Sequence, residues 1–126
     1  MSAKTKQEVE SKINKELLRF LKEHLGEEAK IVSSEVVDDA IIVRFKGVLP
    51  LAEKHLSEES DGAKLIHELK MKLIEEVKPA LELCIEEVTG AKVIDIHSSF
   101  NLATGERIEV FTLNKNLGDL SRKKEG

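Results

Sequence analysis

The chain has no tryptophan, no tyrosine and a single cysteine. Phe20, Phe45, Phe100 and Phe111 are its only aromatic residues, so the core has to be built from aliphatic side chains. The same scarcity removes the stacking platforms on which single-strand nucleic-acid binders rely. With Cys84 alone, no internal disulfide can form, and the chain suits a reducing compartment. There is no surplus of positive charge either: 20 basic residues stand against 24 acidic ones, for a formal net charge of −4. Sequence-independent nucleic-acid binding needs a basic footprint that releases counterions, and that footprint is missing. No apolar run approaches the length of a membrane span, and the segment from Met1 to Glu10 lacks the apolar stretch of a signal peptide. These absences predict a cytoplasmic chain with no transmembrane segment and no nucleic-acid partner.

What remains is a chain of 126 residues with 35% charged and 40% hydrophobic residues. That is one domain in length, and at this size folding buries roughly two-thirds of the unfolded surface. Thr5 and Glu8 have the spacing of a capping box, in which each side chain accepts from the other residue's amide. Val9, Ile13, Leu17, Phe20, Leu21 and His24 then recur at helical spacing on one face, and Gly26 is placed to end that helix in the left-handed conformation. Ile31–Val37 and Ala40–Phe45 are rich in β-branched residues around a turn at Asp38-Asp39. Pro50 suits the first turn of a short helix over Leu49–Leu56.

A long helix follows the polar stretch Ser57–Gly62, with Ser60 or Asp61 as N-cap. Ile66, Leu69, Leu73, Val77, Ala80, Leu81, Cys84, Ile85 and Val88 form its expected apolar face. Pro79 cannot donate to the Glu75 carbonyl, so a kink or break is expected there, and Gly90 ends the helix. Val93–Phe100 and Arg107–Leu113 form a second hairpin around a five-residue loop that closes on Gly105. The halves echo one another, with Gly26 and Ala29-Lys30-Ile31-Val32 in one and Gly90 and Ala91-Lys92-Val93-Ile94 in the other. Either an old duplication or the common helix–glycine–strand junction accounts for this. The predicted fold is α+β: a four-stranded antiparallel sheet with helices on one face, in the order α-β-β-α-α-β-β, spanning residues 1–113, with a flexible tail over 114–126.

From Val36 to Leu113 an ordered set of short pieces resembles a known family. Asp38-Asp39-Ala40-Ile41-Ile42-Val43-Arg44-Phe45-Lys46-Gly47-Val48-Leu49 is followed by Ala52-Glu53-Lys54, then Lys78-Pro79, then Thr89-Gly90 with Lys92-Val93, then Thr104-Gly105-Glu106-Arg107 with Val110-Phe111. In this order and spacing they are similar to the MpsC-like family of bacterial domains. The family label implies a link to a sodium-translocating, membrane-potential-generating system and no catalytic residues. Two departures stand out. The family carries a glycine- and proline-rich stretch where this chain has Gly26-Glu27-Glu28-Ala29, and it tends to place its proline one residue after Pro50.

No chemical motif is complete. His67-Glu68-Leu69-Lys70-Met71 begins like a zinc-binding helix, but Met71 stands where the second histidine must be. Cys84 sits on the apolar face, where desolvation favours the unreactive thiol. There is no glycine-rich phosphate loop, no Ser-His-Asp arrangement and no CxxC. No metal, no cofactor and no catalytic residue is expected, and the chain reads as a non-enzyme.

Two surfaces are candidates for interaction. If the second hairpin pairs symmetrically about its loop, His97 faces Glu109 and Ser99 faces Arg107. Asp95, His97, Arg107, Glu109 and Phe111 then share an open sheet face, with Ile94, Ile96, Ile108 and Val110 turned to the helices. That face is either a recognition surface or a solvated set of cross-strand ion pairs. On helix one, Lys12, Lys15, Arg19 and Lys22 form a basic stripe, which either meets anionic lipid or an acidic protein or is a solvated face of i,i+4 pairs. Phe111 and Leu113 are too apolar for an open face, which predicts a homodimer pairing them across a two-fold axis, unless the tail covers them through Leu117 and Leu120. By resemblance, the leading expectation is a cytoplasmic accessory or adaptor protein with a membrane-associated protein partner in an ion-transport or bicarbonate-linked system, peripheral to the membrane at most. The alternative is a small-molecule-sensing domain that binds on the open sheet face or in a dimer cleft.

Overall fold

In the computed structural model, which describes residues 5–47 and 49–117, seven helices and strands follow in the predicted α-β-β-α-α-β-β order. Helix α1 (Lys6–Phe20) opens on the capping box: the Thr5 hydroxyl accepts from the Glu8 amide at 3.1 Å, and the Glu8 carboxylate accepts from the Thr5 amide at 2.7 Å. Its last turn widens into a π-helical turn over Leu21–Leu25, which Gly26 ends at φ 67°. Val9, Ile13, Leu17, Phe20 and Leu21 are buried as the spacing predicts. His24 is not: it is exposed and stacks on the Phe20 ring at 4.2 Å.

Strands β1 (Ile31–Val37) and β2 (Ala40–Lys46) form a hairpin across the two-residue turn Asp38-Asp39. After the short helix α2 (Leu51–Leu56) comes α3 (Ser60–Thr89), then strands β3 (Val93–Asn101) and β4 (Glu106–Leu113). The four strands make one antiparallel sheet in the order β1-β2-β4-β3. Each helix-plus-hairpin half therefore contributes one inner and one edge strand, and the halves meet at the β2–β4 ladder. Helices α1 and α3 cover one face of the sheet and close an aliphatic core around Ile13, Leu17, Ile41, Val43, Ile85 and Phe111. Glu10 also guards the β1 edge, where its carboxylate accepts from the Val36 amide at 2.9 Å. An edge strand offers unpaired amides of this kind to other chains.

Three details of α3 depart from expectation. Its N-cap is Glu59, which makes no side-chain capping bond, rather than Ser60 or Asp61. The helix runs unbroken through Pro79. Pro79 and Glu75 both lie on the exposed side, where water can replace the donor that proline lacks. The buried face of its first half is also rotated by one residue from the expected Leu69 and Leu73: Ile66, Lys70 and Ile74 point inward, and Leu69 is 43% exposed. At the chain's end, Leu117 is buried against the core and its amide donates to the Asp38 carbonyl at 2.8 Å. Leu120 and the tail from 118 onward lie outside the described residues.

Candidate functional site

The second hairpin pairs one residue away from the symmetric register. Phe100 faces Arg107, Ser98 faces Glu109 and His97 faces Val110, because Asn101 still pairs with Glu106 and the loop holds four residues rather than five. The Asn101 side chain closes that loop by accepting from the Ala103 and Thr104 amides at 2.9 and 3.3 Å. A one-residue slip turns every side chain to the other face. Arg107, Glu109 and Phe111, expected on the open face, are buried beneath the helices at 0%, 1% and 0% exposure. Ile108 and Val110, expected in the core, look outward. On β3, Ile96 is buried as expected, but a shift of register between Val93 and Asp95 leaves Ile94 64% exposed. The homodimer expected from an open Phe111 and Leu113 loses its motive, since both sit in the core beside Leu117.

Burying Arg107 and Glu109 creates an ionic cluster that reaches solvent only through the partly exposed Glu53. The Arg107 guanidinium donates through Nη2 to both oxygens of Glu27, at 3.3 and 3.1 Å. Glu27, in the turn after α1, also accepts from Lys70 of α3 at 3.1 Å, and Lys70 lies 2.8 Å from Glu53 of α2. The Phe100 ring lies beneath both cations, 5.4 Å from the guanidinium and 5.8 Å from the ammonium. Glu109 holds the far end, bonded to Ser98 and 3.5 Å from Arg107 Nη1. Arg107 Nε and Nη1 and Glu109 Oε2 are sealed from solvent without a hydrogen-bond partner among the described residues.

Burial sets the state of Glu109. Desolvation pushes its carboxyl up to about 7, against the pull of Ser98 and Arg107. The cluster ties α2, α3, the turn after α1 and β4 together. Buried charges at such a junction are costly unless paired, and breaking one pair leaves an uncompensated charge in the interior. Glu27, Lys70, Glu53 and Ser98 were not singled out from the sequence. The available signal was Lys70, a lysine set between Ile66 and Ile74 at four-residue spacing.

The open side of the sheet is the accessible surface. Register places Val37, Ala40, Thr112 and Asp95 in one row, Glu35, Ile42, Val110 and His97 in the next, and Ser33, Arg44, Ile108 and Ser99 in a third. Its centre is thus Ile42, Val110 and Ile108, all half-buried, with Val37 and Ile94 exposed near its corners. An antiparallel sheet facing water on one side normally turns polar residues outward. Polar pairs sit at the rim: the Arg44–Glu106 ion pair at 3.9 Å and the His97–Asp95 contact at 2.9 Å. A polar depression of about 570 Å³ lies beside it along the β1 edge, reaching Glu35, Ile42 and Arg44.

The remaining candidates are ordinary surface or rim. Lys12, Lys15, Arg19 and Lys22 are exposed on α1. Arg19 pairs with Glu16 and Glu23, and Lys22 with Glu28, so acids neutralise part of the stripe. Cys84 is half-buried at the α1–α3 groove, and burial, helped by Glu16 and Glu87, pushes its thiol up to about 11. Among the described residues, no helix is long and apolar enough to cross a membrane.

A family model described as "Na+-translocating membrane potential-generating system (MpsC)" matches residues 5–115. The chain is also 33% identical over 114 residues to "Uncharacterized protein YbcI" of Bacillus subtilis (strain 168), covering 90% of this chain and 92% of that protein. No solved structure matches.

Proposed function

The chain belongs to the MpsC family, and on that premise we propose that it is a non-catalytic accessory protein of a membrane ion-transport system, working in the cytoplasm as an adaptor that docks a membrane-associated protein on its open sheet face. The observation that carries this reading is the apolar centre Ile42–Val110–Ile108 on a face that, among the described residues, no element covers. Apolar patches rimmed by polar residues are typical of protein interfaces. The sealing of Lys70, Arg107 and Glu109 supports the non-catalytic part, since a group shut off from solvent is also shut off from substrate. In this reading the chain also works as a dimer.

Co-purification from native membranes tests the docking. Wild type should bring down an integral subunit of an ion-translocating complex, and Ile42→Lys, folded and equally expressed, should lose it. Equal recovery with both proteins contradicts the reading. The alternative, small-molecule sensing, draws on the depression beside Glu35 and Arg44. It predicts a metabolite that raises the melting temperature of the wild type but not of Arg44→Ala.

A further inference from the structure

Helix α3 carries apolar residues on two sides. Its inner side carries Ile66, Ile74, Leu81, Ile85 and Val88 into the core. On its outer side Leu65, Leu69, Lys72, Glu76, Pro79 and Leu83 recur at alternating spacings of four and three, and all six are exposed. Leu65 and Leu83 are 62% and 61% exposed. Alternating steps of four and three make the seam through which two helices pack side by side. From Leu65 to Leu83 this seam runs about 27 Å at 1.5 Å per residue.

The seam reads the same from both ends in chemical terms. Counting inward, Leu65 corresponds to Leu83, Leu69 to Pro79 and Lys72 to Glu76, each pair symmetric about Ile74. We propose that two copies of the chain associate by packing their α3 helices antiparallel through this seam, across a two-fold axis at Ile74. Leucine then meets leucine at both ends, and Lys72 of each copy meets Glu76 of the other at the centre. A parallel, in-register pairing would set Lys72 against Lys72 and Glu76 against Glu76, so the central charges select the antiparallel arrangement. A polar layer of this kind specifies orientation at some cost in affinity.

The flank beside the seam adds to that cost. Glu68, Glu75 and Glu82 approach their counterparts across the axis, although Lys78 lies 3.5 Å from Glu75 and Lys64 is one turn from Glu68. The like charges on this flank weaken the association. The seam points away from the sheet, so both open sheet faces stay clear. The dimer would present two docking faces that point away from each other, one on each side of the helix pair. Only this last consequence rests on the adaptor reading.

Sedimentation velocity of the full chain at about 50 micromolar tests the seam. Wild type should sediment at twice its 14.1 kDa mass. Lys72→Glu and Glu76→Lys should each weaken association at least tenfold, and an equimolar mixture of the two should recover it, because only the mixed pair carries complementary charges. Leu83→Glu should be monomeric, and Ile42→Lys should dimerise like wild type. A monomeric wild type, a dimeric Leu83→Glu, or a mixture no stronger than its components would overturn the proposal. All the altered residues but Ile42 are exposed, and matching melting temperatures establish that each variant is folded. A monomeric wild type removes the dimer from the proposed function, whereas docking through the sheet face is tested separately by membrane co-purification of Ile42→Lys.

Discussion

Arg107 Nη2 lies 3.1 Å from Glu27 Oε2, joining a strand residue to a turn residue 80 positions earlier in the chain. Lys70 reaches the same carboxylate oxygen at 3.1 Å, so Glu27 is the shared counter-ion of two buried cations. Glu27→Gln should therefore leave both cations under-compensated in the interior. Breaking a buried pair in this way costs about 3 kcal/mol or more. Urea denaturation is the check, and a loss below about 1 kcal/mol would mean that the cluster is hydrated or rearranges freely.

Glu109 makes a prediction about pH. Its carboxyl is raised from 4.5 to about 7 in the folded chain. Below pH 4.5 the folded and unfolded chains both hold this proton. Between 4.5 and about 7 only the folded chain holds it, so rising pH removes stability across that window, by on the order of 3 kcal/mol in total. Subtracting the stability of Glu109→Gln from that of wild type at each pH isolates this group. The difference should fall from pH 4.5 to pH 7 and flatten above. A difference that rises with pH would show an ionised, stabilising Glu109.

Gly62 should tolerate no side chain. Alanine is a better helix former than glycine, so replacing a helical glycine by alanine ordinarily stabilises. Here a Cβ would lie 1.9 Å from the Leu56 carbonyl oxygen and 2.9 Å from its carbon, so the α2–α3 junction would have to open. Gly62→Ala should lower the melting temperature, and an increase would mean that α2 packs against α3 more loosely than it does in this structure.

Cys84 should react slowly. With its thiol raised from about 9.0 to about 11, the thiolate population at pH 8 is about one hundredth of that of an exposed cysteine. A disulfide exchange reagent should label the native protein roughly a hundredfold more slowly than the protein in urea. Comparable rates would place Cys84 in open solvent.

Local rules were legible in the sequence, and long-range balances were not. The Thr5–Glu8 capping box, the left-handed glycines Gly26 and Gly90, and the Asp38-Asp39 turn depend on residues within a few positions of one another, and all appear where their chemistry places them. The strand faces of the second hairpin depended on whether Asn101 belongs to the loop or to the ladder. Its pairing with Glu106 turned Arg107, Glu109 and Phe111 inward together. Alternation alone argued the opposite, because Ile108 and Val110 alternate with the charged Arg107 and Glu109. Arg107 and Glu109 can be buried only because Glu27 and Lys70 arrive from distant segments, and no local pattern announces that pairing. The outward Ile108 and Val110 are the other half of the same inversion, and they create the face on which the proposed function rests.

A photo-crosslinking residue placed at Val110, at the centre of that face, tests the account most directly. Irradiated in living cells, it should yield an adduct with an integral membrane protein of an ion-translocating complex, and the same probe at the exposed His67 of α3 should not. Adducts at Val110 that match those at His67, or that contain no membrane protein, would contradict the claim that the open sheet face docks this chain onto such a system.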